Sequence, residues 1–212
     1  MKSQVAASSA ILEFANYPNV SSHPRIALYR DTLKKRFNVS VKKFPQSNES
    51  LIKRVVKSGS TLPSINPIVD FYNSISIKHA VTAGAFDLGE LKAHSEAPLE
   101  LRRGAAAKDT FLALNAPADS KPDCITDGEL LYVQGTTVLT RHLAWRQSSQ
   151  ALVSDVTKDV VFVSEILNDK PQLGSSDLAR RVAREFTVGL KEFFGVESKF
   201  EILGEGLLSA DL

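Results

Sequence analysis

The chain is predicted to fold as an α+β protein, with helices leading, strands filling the middle and a helix closing. Three observations carry that expectation. Ile26, Tyr29, Leu33 and Phe37 recur at helical spacing behind Pro24. Short β-rich runs crowd residues 98–166. Leu178, Val182, Phe186, Leu190 and Phe193 then form one apolar stripe that stops at Gly195. Because helices and strands are segregated rather than alternating, a doubly wound sheet is disfavoured.

In chain order, a strand is expected at residues 10–14, then a helix from Pro24 through Arg36, with a short strand at 39–44. Ser47 or Asn48 is placed to cap a helix running to about Lys57, with Gly59 and Pro63 beyond it. Asn66-Pro67 opens a helix ending near His79, and residues 82–84 form a loop. Strands are expected at 99–103, 110–113, 129–133, 136–140 and 160–166, with Gln134-Gly135 as a tight hairpin turn. Residues 115–127 read as a surface loop. Ser176 or Asp177 caps the last helix, 176–194, and a strand at 199–203 ends the pattern. No linker divides the 212 residues, so one domain with mixed or antiparallel sheets flanked by helices is expected.

Composition narrows the class. Hydrophobic residues make up 43% and charged residues 24%, a balance that sustains a packed core. No apolar run reaches the roughly 18 residues that a membrane span needs, and the serine-broken N-terminal stretch does not read as a signal peptide. Cys124 is the single cysteine, so an internal disulfide is impossible. A reducing, cytoplasmic setting is the expectation. Charge is uneven: residues 1–60 carry eleven Lys/Arg against three Asp/Glu, while the rest carry fifteen against twenty-one. Lys34, Lys35, Arg36, Lys42, Lys43, Lys53 and Arg54 make the first third a candidate phosphate-facing surface, with a solvated lysine-rich face as the plainer reading.

The common catalytic signatures are absent: no G-x-x-x-x-G-K-[ST], G-x-G-x-x-G, G-x-S-x-G or H-E-x-x-H occurs. His23, His79, His94 and His142 show no ligand spacing, and Cys124 sits among acids that disfavour an activated thiolate. Neither a metal nor a cofactor is expected. The helix from Asn66 is more informative. At 100° per residue, Ile68, Phe71, Tyr72 and Ile75 form a core face, and Asn66, Asp70 and Asn73 lie together on the other side. Short polar groups compete with the helical backbone, so three of them in register point to fixed partners. Those partners are either a cap and a neighbouring loop, or a polar pocket.

The segment SINPIVDFYNSISIKHAVTAGAFDLGEL, residues 64–91, resembles the core signature of the B three/four editing domain in the beta chain of phenylalanyl-tRNA synthetase. Asn66, Asp70, Asn73, Ala85, Phe86 and Asp87 match it. Weaker matches follow in order: Arg102 or Arg103 with Ala105, Gly128-Glu129, Trp145-Arg146, and Thr157 ahead of residues 160–163. No synthetase catalytic core or anticodon-binding region is present, so the resemblance is to a free-standing form of the domain. Where the synthetase has a histidine before Ala-Phe-Asp, this chain has Gly84.

The resemblance implies an α+β fold with tRNA or aminoacyl-tRNA as partner, and neither membrane nor DNA. It implies trans-editing of a mischarged ester by a positioned water, without a covalent intermediate. The alternative is a non-catalytic module that binds tRNA or an amino-acid-like ligand. A turn of Gly84, Ala85, Phe86 and Asp87 is expected beside the polar side of the Asn66 helix. Gly84 would admit a ligand, Phe86 would wall the pocket and Asp87 would hold the turn. Arg146 would pin a carboxylate or phosphate, or pair with Asp70 or Asp87. Glu165 is the candidate for the specificity carboxylate that in the synthetase domain meets a tyrosine hydroxyl.

Overall fold

The computed structural model describes residues 2–59, 64–117, 119–143, 146–167, 177–204 and 208–211, with side chains from Ala7 onward. The chain forms two compact units, Met1–Glu165 and Ile166–Leu212. The architecture is α+β as expected, with six α-helices and two antiparallel sheets among the described residues.

The first unit opens with helices. α1 (Lys2–Phe14) replaces the strand expected at 10–14. Ala7, Ala10 and Phe14 fall on one buried face at spacings of three and four, a period that a five-residue window cannot show. α2 (Pro24–Phe37) starts on its proline and ends where Asn38 turns left-handed at φ 52°. The strand expected at 39–44 is instead a turn. Lys43 N and Phe44 N both donate to Ser40 O, and among the described residues no second strand is there to satisfy an extended segment. α3 (Ser47–Ser58) begins after Gln46 rather than after a capping side chain. Asn48 bonds inward to Ala80 O at 2.9 Å. α4 (Pro67–His79) forms where the sequence places it, capped by Asn66. α1, α2, α3 and α4 share a core of Phe14, Ile26, Ile52, Val55 and Ile77.

Residues 84–87, expected as a turn, form the strand β1 (Gly84–Asp87). Asp87 then caps α5 (Leu88–His94) by accepting from Glu90 N at 2.9 Å. β2 (Leu99–Arg103), β3 (Leu130–Gln134), β4 (Thr137–Arg141) and β5 (Arg146–Gln147) form one antiparallel sheet in sequence order. Gly135, at φ 62°, turns the β3–β4 hairpin. β3 is buried along its whole length. Leu131 and Val133 pack with Phe111, Ile125 and Val138 on one face. Tyr132 packs with Phe86, Leu91 and Leu139 on the other. Residues 110–113 make isolated bridges, not a strand. β6 (Val160–Val163) pairs with β1 as a separate ribbon.

In the second unit, α6 (Asp177–Phe194) buries Leu178, Val182, Phe186 and Leu190, leaves Phe193 46% exposed, and stops at Gly195, φ 67°. Residues 199–203 are not a strand. Pro63, Trp145 and Ser176 lie outside the described residues. No described helix is long and apolar enough to cross a membrane.

Candidate functional site

Gly84, Phe86 and Glu165 meet on one face of the β1–β6 ribbon. The register pairs Gly84 with Val163 and Phe86 with Val161. Side chains alternate along a strand, so these four share a face, while Ala85 and Phe162 share the other. Carried two residues outward, the same register sets Glu165 opposite Thr82. The hydrogen bonds agree: Thr82 Oγ1 donates to Glu165 Oε2, and Ser164 Oγ donates to Thr82 O at 2.6 Å.

Glu165 is half-buried, and two of its three oxygens accept from a tyrosine. Tyr132 donates to Oε1, and Tyr29 donates to the main-chain carbonyl. No Lys, Arg or His among the described residues pairs with the carboxylate. Burial first, then the charge of Glu165, pushes the Tyr132 phenol above the ordinary tyrosine range, so it remains protonated and donates. The Tyr132 ring centroid lies 5.7 Å from that of Phe86, and its hydroxyl is on Glu165. Phe86, Gly84 and Thr82 succeed one another on that face, about 7 Å per step. The ring therefore spans from Phe86 toward Glu165, in the cluster that Val163 packs against.

The polar residues of α4 are not part of this face. The rings of Phe71 and Tyr72 stand 6.2 Å and 6.5 Å from Phe162, on the ribbon face away from Gly84. Burial, with Asp70 nearby, pushes the Tyr72 phenol up to about 12. Asn66 Oδ1 caps the helix by accepting from Val69 N at 2.8 Å, and Asn66 Nδ2 reaches Val153 O at 3.5 Å. Asp70 turns back to the preceding segment, accepting from Ser64 Oγ and from Ile65 N at 3.0 Å. Asn73 is half-buried, and its amide has no partner among the described residues. The expectation that the 84–87 segment meets the polar side of α4 is thus corrected: the aromatic side of the helix packs on the ribbon.

The remaining predicted residues lie apart. Phe86 is 2% exposed and is a core residue. Asp87 accepts from Glu90 N and, at 2.6 Å, from Thr157 Oγ1. Burial raises its pKa, but these bonds outweigh that and hold the carboxyl below its ordinary value. Arg146 is exposed on β5, and its guanidinium is 3.8 Å from Asp123, rather than beside Asp70 or Asp87. Thr82, Tyr29 and Tyr132 were missed as partners of Glu165. Their contacts join positions 83 and 136 apart in the chain, or cross between two sheets, and no local spacing encodes that.

Lys34, Lys35, Arg36, Lys42, Lys43, Lys53 and Arg54 are all exposed on α2, the turn after it, and α3. Lys35 pairs with Asp31 at 2.7 Å and Lys53 with Glu49 at 2.6 Å. Arg103, from β2, donates to Arg36 O at 3.1 Å and stacks 4.8 Å above Phe37, adding a cation to this surface.

A cleft of about 320 Å³ opens elsewhere, lined by Glu90, Leu91, His94, Gln134, Leu139 and Ala151 among others, and none of the predicted site residues borders it. Among the described residues no group of three or more His, Cys, Asp or Glu is placed to hold a metal ion.

An α+β fold bearing the Asn-Asp-Asn helix and the Ala-Phe-Asp strand is the expected frame of a tRNA-synthetase-related module. The B3/4 domain family model matches residues 30–189, three quarters of the chain, and the chain belongs to that family. No curated protein matched it.

Proposed function

We propose that this B3/4 chain binds tRNA through its basic face and hydrolyses a mischarged aminoacyl ester in trans. One observation supports the reading above others. Glu165 is a half-buried carboxylate with hydroxyl partners and, among the described residues, no cation. Even a partly buried charge without a counter-charge carries a desolvation cost, and an aminoacyl ammonium would supply the counter-charge. Family membership supplies the tRNA context. The reaction needs no nucleophilic side chain: water adds to the ester carbonyl and the ribose oxygen leaves with the proton. Orientation and hydrogen bonds to the developing oxyanion are then the protein's contribution.

The exposed basic residues give the reading a second leg, because phosphate contacts release counterions and weaken steeply with salt. The test is deacylation of a panel of mischarged tRNAs, with tRNA affinity measured in parallel across salt concentration. Hydrolysis of at least one ester is expected, with no covalent intermediate trapped. Lys35→Glu with Arg36→Glu should lower affinity for every tRNA alike and flatten the salt slope. Binding without turnover would leave the second reading, a non-catalytic tRNA module. No binding even at about 50 mM salt would remove both.

A further inference from the structure

The ribbon face that carries Gly84 and Glu165 already holds an aromatic ring. Tyr132 enters from β3, buried to 8% exposure, with its ring 5.7 Å from Phe86 and its hydroxyl on Glu165 Oε1. A phenol offered by a ligand would need that same strip between Phe86 and Glu165, and the same acceptor. The strip is taken by a side chain that cannot swing aside cheaply. Leu131 and Val133 flank it in a strand buried on both faces, and Phe86 and Leu139 pack about it. What Glu165 still offers is charge. Each oxygen retains a lone pair after one hydroxyl bond, and no cation among the described residues pairs with it.

We propose that Tyr132 is the specificity-determining residue of this site: it fills the space an aromatic side chain would use, so the site takes aminoacyl groups with short side chains and pairs their ammonium, not a phenol, with Glu165. The proposal rests on the deacylase reading and adds the substrate class to it. Selection by filled volume discriminates strongly against a larger group, because a ring cannot enter space that another ring holds.

The experiment is a deacylation panel of alanyl-, seryl-, valyl-, phenylalanyl- and tyrosyl-tRNA. The wild type should cleave the alanyl and seryl esters at least about tenfold faster than the phenylalanyl and tyrosyl ones. Tyr132→Ala should gain the aromatic esters, and Tyr132→Phe, which keeps the ring and loses the hydroxyl, should retain the preference for small ones. Tyr132→Leu serves if the alanine variant fails to fold, and should gain activity on the phenylalanyl ester. Wild-type cleavage of tyrosyl-tRNA as fast as alanyl-tRNA would overturn the proposal while leaving the deacylase reading intact. So would a folded Tyr132→Ala or Tyr132→Leu variant with no gain. If no ester is cleaved, the deacylase reading fails. Binding of alanine and tyrosine methyl esters, followed by NMR, then decides on the side-chain space. Alanine ester shifts that vanish in Glu165→Gln support it, and equal binding of the tyrosine ester by the wild type overturns it.

Discussion

Two carboxylates, Glu49 on α3 and Glu165 at the end of the β1–β6 ribbon, show how the helical and ribbon regions handle buried charge differently. Glu49 is fully buried and is met by Arg30 at 2.8 Å and 2.9 Å, by Lys53 at 2.6 Å and by Ser21 at 2.9 Å. Burial raises its pKa, yet these bonds from Lys53, Arg30 and Ser21 prevail and hold the carboxyl below its ordinary value. It is a closed network tying α2, α3 and the turn at Ser21 together. Among the described residues, Glu165 has hydroxyl donors alone. A carboxylate that the fold neutralises serves the fold, and one that the fold leaves charged is available to a ligand.

The largest effect should come from opening the closed network. Arg30→Met leaves Glu49 buried with one lysine and one serine, and should destabilise the protein by about 3–5 kcal/mol in denaturant unfolding. A loss below about 1 kcal/mol would mean that Glu49 is as independent of cations as Glu165.

A third buried acid sharpens the contrast by titration. Glu129 is held by Arg141 at 2.7 Å and 2.8 Å, with His142 Nε2 3.2 Å away but not aligned for a hydrogen bond. Burial lowers the His142 pKa to about 4, against the pull of Glu129 and with the help of Arg141. The folded state therefore resists a proton that the unfolded state accepts at its ordinary value. Stability is full above about pH 6.5 and falls as pH drops toward 4, by on the order of 3 kcal/mol. His142→Asn tolerates the φ of 51° at this position, and should flatten unfolding free energy across that window. An unchanged slope would assign the titration elsewhere.

Removing a donor from the open carboxylate should cost less. Thr82 is fully buried, and Thr82→Val should destabilise by about 1–3 kcal/mol by leaving Glu165 under-bonded. The smallest stability change is expected for Glu165→Gln, under about 1 kcal/mol, because the amide keeps the shape and can still accept from one hydroxyl. Deacylation should nonetheless fall by about 100-fold, the equivalent of a lost charge-assisted pair. A large loss of stability with activity retained would place Glu165 with Glu49 as a structural acid.

The sequence by itself determined the α+β class, the helices behind Pro24 and Asn66, the Gly135 hairpin and the α6 stripe, since each is written in local periodicity or a capping residue. It also carried the family signature at residues 64–91. Tertiary structure decided the rest. Whether residues 10–14 and 39–44 became strands depended on partners to pair with, and none is found among the described residues. Asn66, Asp70 and Asn73 share a helix face in sequence, but the packing of Phe71 and Tyr72 on Phe162 turned that face away from Gly84. The neighbours of Glu165 come from three separate elements, and a hydrogen bond between a ribbon end and a distant strand has no local signal. Backbone propensity acts over a turn or a pair of residues, whereas burial and charge pairing are settled only when distant segments meet.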